Sequence, residues 1–130
     1  MWCSILPDIL VDTCGWVATV DAGINIDLSL KNIFGKYQLL LLPSVKSELE
    51  LISDERSAHQ PLLLDLLYKK SKNVNQDNDL PEYTDDQLVF LSNEYKIPVL
   101  TVDRELKSRL HDLNLPVIQV TGNNRLELIE

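Results

Sequence analysis

Positive charge is scarce in this sequence: 12 Lys and Arg residues stand against 20 Asp and Glu, for a net charge of −8. This argues against a broad basic face for nucleic acid, since phosphate binding draws much of its affinity from Lys and Arg. It does not exclude an enzyme of nucleic acids. A cluster of acidic metal ligands lowers the formal charge, and bound cations restore it locally. No apolar run approaches the roughly 20 residues that span a bilayer, so no membrane segment is expected. The only cysteines, Cys3 and Cys14, make no disulfide framework. The opening stretch MWCSILPDILVD has no Lys or Arg and is broken by Asp8 and Asp12, unlike a signal peptide. A reduced, cytoplasmic protein is expected. Internal repeats and low-complexity tracts are absent. No glycine-rich phosphate loop follows the first apolar run, which counts against a Rossmann-type or flavodoxin-like nucleotide site.

The chain has 130 residues, 45% of them apolar, which suits one globular domain over 1–130 with a real core. Short apolar runs at Ile9–Val11, Leu39–Leu42, Pro98–Thr101 and Val117–Val120 read as buried strands. Between them lie helical patterns. One starts at Asp27 and ends at Gly35. A second follows Ser44, read as an N-cap, with Val45, Glu48, Leu49 and Ile52 at helical spacing. Pro61–Lys70 is leucine-rich with a basic end. Thr84 is read as the cap of a helix bearing Leu88, Val89 and Leu91, and Asp103 opens a helix bearing Leu106 and Leu110. Residues 71–83 are polar, rich in Asn and Asp, and expected to form a loop. Gly122-Asn-Asn turns the chain toward a possible edge strand. This alternation implies an α/β fold, a mostly parallel sheet of four to five strands covered on both faces.

Such sheets gather functional groups at the carboxyl ends of their strands. Asp12 follows the first strand directly, Asp103 follows the Pro98–Thr101 strand, and Glu48 sits in the first turns of the helix after strand two. Asp86 lies in the first turn of its helix, with a reach that depends on the preceding loop. Any one of these can be a helix cap or a solvated surface charge. Asp12 is the hardest to dismiss, because a carboxylate directly after a buried strand loses hydration unless something compensates.

Four segments in order resemble the PIN domain family of metal-dependent nucleases, which includes VapC toxins and rRNA-processing endonucleases. They are Ile9-Leu-Val-Asp-Thr, Leu42-Pro-Ser-Val-Lys-Ser-Glu-Leu, Thr84-Asp-Asp-Gln-Leu-Val and Leu100-Thr-Val-Asp-Arg-Glu-Leu. The ending Ile118-Gln-Val-Thr-Gly-Asn-Asn-Arg-Leu-Glu-Leu is similar to archaeal members near the ribosomal-processing branch. The resemblance implies a three-layer α/β/α sandwich. It also implies that Asp12, Glu48, Asp86 and Asp103 are the catalytic, metal-holding carboxylates, with Thr13, Asp85 and Thr101 around them. Asp85 is the alternative third ligand; Asp86 is preferred because apolar residues follow it at +2 and +3. Cys14 departs from the asparagine found in many members.

Four hard oxygen ligands without a neighbouring His or Cys suit Mg²⁺ or Mn²⁺ rather than Zn²⁺. His59 and His111 fall outside the motifs. Lys69, Lys70 and Lys72, or Arg104, Lys107 and Arg109, are candidate phosphate contacts, with solvated helix ends as the plainer reading. Tyr83 is a candidate stacking residue. The expected function is metal-dependent RNA cleavage in processing or rRNA maturation. The alternatives are a VapC-type toxin with an antitoxin, or a PIN-fold binding module without activity. Expected partners are RNA, an antitoxin or ribosome-assembly protein, and a second copy in a homodimer.

Overall fold

A computed structural model describes residues 7–56, 62–74 and 80–130. Cys3, His59, Pro61 and the polar stretch 75–79 lie outside the described residues. The strands are β1 (Asp8–Val11), β2 (Gln38–Leu41), β3 (Ser71–Asn73), β4 (Val99–Leu100), β5 (Val117–Val120) and β6 (Leu126–Ile129). The helices are α1 (Thr13–Asp21), α2 (Ile26–Phe34), α3 (Pro43–Glu55), α4 (Leu64–Lys70), α5 (Thr84–Tyr95) and α6 (Arg104–Asp112).

One six-stranded sheet has the order β3-β2-β1-β4-β5-β6. All neighbours are parallel except β5 and β6, which pair antiparallel from Val117↔Ile129 to Val120↔Leu126. The steps β1→β2 and β2→β3 move one way along the sheet, and β4→β5 moves the other. Right-handed crossovers therefore send the two helix groups to opposite faces, giving three layers. Consistent with this, α1 packs beside α3 and α5 beside α6. The strand interiors Ile9, Leu10, Val11, Leu39, Val99 and Ile118 are essentially inaccessible, as parallel strands covered on both faces must be. Trp16 sits fully buried on α1, its indole N–H donating to the Leu62 carbonyl at 2.7 Å.

Four details differ from the sequence reading. The segment 71–83 is not wholly a loop: Ser71–Asn73 forms β3, pairing parallel with Leu39–Leu41. A sixth strand thus joins the expected four to five. Helix α1 went unread. Its inward residues include Thr13, Gly15 and Thr19, which leave no apolar stripe to detect. The other two concern caps. Leu42 precedes α3, with Pro43 at the first helical position, and Tyr83 precedes α5. Ser44 and Thr84 lie inside their helices and spend their hydroxyls sideways. Ser44 donates to Gln87, and Thr84 donates to Glu48.

Candidate active site

Strand order reverses between β1 and β4, and the crevice at the carboxyl ends of two such strands is where open α/β sheets bind ligands. Asp12 stands at the end of β1, Asp103 three residues beyond β4, and the starts of α3 and α5 face the same edge.

Asp12 is 5% exposed, and three donors hold its carboxylate. Oδ1 accepts from the Thr13 backbone N–H at 2.8 Å. Oδ2 accepts from the Thr101 hydroxyl at 2.8 Å and from the Cys14 thiol at 3.0 Å. These donors offset the desolvation that burial imposes on a carboxylate. Burial pushes the Cys14 thiol up from its ordinary value, and the Asp12 carboxylate pushes it the same way, so the thiol keeps its proton to donate. Thr101 is itself fully buried, and its oxygen also accepts from the Asp103 backbone N–H at 3.1 Å. Asp103 caps α6, its Oδ1 accepting from the N–H groups of Glu105 and Leu106. On the other side the Thr13 hydroxyl donates to Glu48 Oε2, and the Thr84 hydroxyl donates to Glu48 Oε1 at 3.3 Å. One hydrogen-bonded chain of threonines therefore runs from α6 through β1 and α1 to α3 and α5.

The adjacent aspartates of α5 part ways. Asp86 is tied to Arg109 at 2.7 Å, both side chains about two-fifths exposed. Asp85 lies within electrostatic reach of the acidic group. Desolvation first, then the charges of Asp12 and Asp103 and more weakly Glu48, raise its carboxyl above the ordinary value, with Arg109 opposing. Asp85 therefore senses the other three carboxylates, whereas Asp86 is committed to a cation.

Among the described residues, no three acidic, His or Cys side chains stand close enough to form a finished ligand cage. The donor set still fits a hard divalent cation. It consists of carboxylate oxygens at one edge, those of Asp12 buried. Thr13 and Thr101 each bond to one of the carboxylates. The proposed phosphate contacts divide. Arg104 begins α6 beside Asp103, and Lys107 follows one turn on, bonded to Gln119 at 3.2 Å. Lys69 and Lys70 end α4 just before β3, whose first residue pairs with Leu39 near the start of β2. They therefore sit at the amino edge of the sheet, opposite the carboxylates, and Lys70 bridges Asp27 at 3.2 Å. Sequence reading missed Thr84, Ser44, Gln87 and the thiol bond of Cys14. Only Thr84, beside two aspartates at a helix start, left a visible signal.

The PIN-like domain family matches residues 9–123. The chain is 28% identical over 109 residues to ribonuclease VapC4 of Methanocaldococcus jannaschii, covering 81% of this chain and 83% of that one. Its fold is similar to that of the PIN domain endonuclease Utp24, with a TM-score of 0.71 and 17% identity over 93% of this chain and 90% of the other. With its family model matched over residues 9–123 and its six-stranded sheet, this chain belongs to the PIN-like domain family.

Proposed function

We propose that this protein is a divalent-metal-dependent endoribonuclease, with Asp12, Glu48, Asp103 and one aspartate of α5 holding Mg²⁺ or Mn²⁺. The observation behind this reading is geometric: hydrogen bonds through Thr13, Thr84 and Thr101 link Asp12, Glu48 and Asp103, three carboxylates from separate elements at one sheet edge. Of the two α5 aspartates, Asp85 is the better ligand, and Asp86 with Arg109 flanks it.

A bound divalent ion supplies charge neutralisation at phosphorus and a more acidic water. The chain does the rest. Thr101 and the Thr13 N–H fix the Asp12 carboxylate, so it needs no reorientation when a substrate arrives. Thr13 and Thr84 do the same for Glu48. Arg104, which begins α6 beside Asp103, would pair with an RNA phosphate as it nears that carboxylate.

The test is cleavage of mixed single-stranded and structured RNAs by the pure protein, with and without Mn²⁺. Cleavage is expected only with metal. Asp12→Asn should lower it by about 100-fold or more, since metal stabilisation amounts to several kcal/mol and each 1.36 kcal/mol is tenfold. Full activity of Asp12→Asn, or cleavage in EDTA, overturns the assignment. The relative named VapC4 favours a second reading, a toxin silenced by an antitoxin. Induced expression of the wild type, but not of Asp12→Asn, would then arrest growth, and a co-expressed small partner would lift the arrest.

A further inference from the structure

Gln87 belongs to none of the roles above, yet it is 3% exposed and all its polar atoms are engaged. Its amide nitrogen donates to the Pro81 carbonyl at 2.8 Å and, at 3.5 Å, to that of Glu82. Its amide oxygen accepts from the Ser44 hydroxyl at 3.3 Å. One buried side chain thus ties the segment entering α5 to the first turn of α3.

Helical spacing gives this tie a consequence. Glu48 lies four residues after Ser44 on α3, and Thr84 lies three residues before Gln87 on α5. Residues three and four apart share a helix face. Ser44–Gln87 and Glu48–Thr84 are therefore two rungs across one seam. An apolar residue at 87 would fill the same space without desolvating an amide. What it lacks is direction: hydrogen bonds hold one rotation of α5, whereas apolar packing tolerates several. Asp85 and Asp86 directly precede Gln87, so that rotation decides which way their carboxylates point.

We propose that Gln87 is a positioning residue for the acidic site. By tying the first turn of α5 to that of α3, it sets the direction in which the aspartates of α5 point relative to Asp12, Glu48 and Asp103. The proposal rests on the metal-site reading above and goes beyond it by naming what assembles the site.

Gln87→Met tests it, keeping the length of the side chain while removing every hydrogen bond. Mn²⁺ affinity is read without RNA, from the electron paramagnetic resonance signal of free Mn²⁺. Groups that orient metal ligands typically change affinity by 10–100-fold when lost. Gln87→Met should weaken Mn²⁺ binding about tenfold or more, and cleavage should return toward the wild-type rate at saturating Mn²⁺. Ser44→Ala, which removes one rung, should shift affinity the same way by less, and it serves if Gln87→Met fails to fold. Wild-type Mn²⁺ affinity in the folded variant, whatever its melting temperature, would make Gln87 a structural brace only and overturn the proposal. If the wild type binds Mn²⁺ and the variants bind it more weakly but none cuts RNA, the proposal stands and the nuclease reading falls. If the wild type binds no Mn²⁺, both fall.

Discussion

Asp85 and Asp86 are chemically identical neighbours with opposite expected responses to neutralisation. The Asp85 carboxyl is raised above 3.8, so the folded chain holds its proton more firmly than the unfolded chain does. That contribution to stability is fully present below the unfolded value and is lost as pH rises through the folded one. At neutral pH without metal, the ionised Asp85 is therefore unfavourable, and Asp85→Asn should melt higher than wild type in EDTA. Asp86→Asn loses its bridge to Arg109 and should melt slightly lower. Both effects belong to solvent-exposed groups and should stay below about 1 kcal/mol, or a few degrees by calorimetry. Activity should separate the two more sharply: Asp85→Asn loses metal-dependent cleavage, while Asp86→Asn keeps most of it. The reverse pattern would return the third ligand to Asp86. No sequence rule distinguishes the pair. Successive helical residues point about 100° apart, and which one faces inward depends on where α5 starts and how Gln87 docks it.

Helix α1 shows how a single missing atom lets an element reach its place. A Cβ on Gly15 would lie 2.2 Å from the Leu100 carbonyl oxygen and 2.9 Å from the Thr101 Cα, both backbone atoms with little freedom to yield. Glycine permits α1 to lie against the end of β4, which lets Asp12 meet the Thr101 hydroxyl. Gly15→Ala would ordinarily stabilise a helix by roughly 0.5–1 kcal/mol. Here it should destabilise by about 1–3 kcal/mol through overpacking, and cleavage should drop at temperatures where circular dichroism still shows a folded chain. A gain in stability would mean that α1 does not sit this close. The same helix marks the limit of what periodicity reveals. Strands β1, β2, β4 and β5 stand out as short apolar runs because both of their faces are covered. In α1 the buried side includes two threonines and a glycine, with the Thr19 hydroxyl satisfied by the Gly15 carbonyl. Strand β3 is legible by neither rule, since Ser-Lys-Asn pairs only on its β2 side and stays polar. Asp12 and Asp103 could be placed from the strands they follow; Thr84 and Gln87 could not, because their roles depend on how two helices meet.

Across the whole molecule, the two edges of the sheet lean the same way with pH. At the amino edge Asp8 is 7% exposed, and among the described residues its Oδ2 has no hydrogen-bond partner. Burial raises its carboxyl, only partly countered by the charge of Lys72. With Asp85 it should make the metal-free protein most stable in mild acid and less so toward neutrality. Asp27 works oppositely. The Tyr37 hydroxyl, then Lys31 and Lys70, lower it to about 2, so its contribution is present above 3.8 and is lost only as pH falls through that low value. Urea melts across pH in EDTA should show the decline toward neutrality, and Asp8→Asn should flatten part of it, gaining about 1 kcal/mol at pH 7 without changing cleavage. A stability that rises steadily to neutral pH would contradict both assignments. The sheet order also orders events in time. Thr101, whose hydroxyl completes the setting of Asp12, lies 89 residues further along the chain. At about 5–20 residues per second, a ribosome needs roughly 4–18 s to cover that distance. Throughout that interval β1 lacks its β4 neighbour and Asp103 has not been made. On the ribonuclease reading proposed above, the messenger being translated, the RNA nearest at hand, meets no finished site until Thr101 and Asp103 have been made.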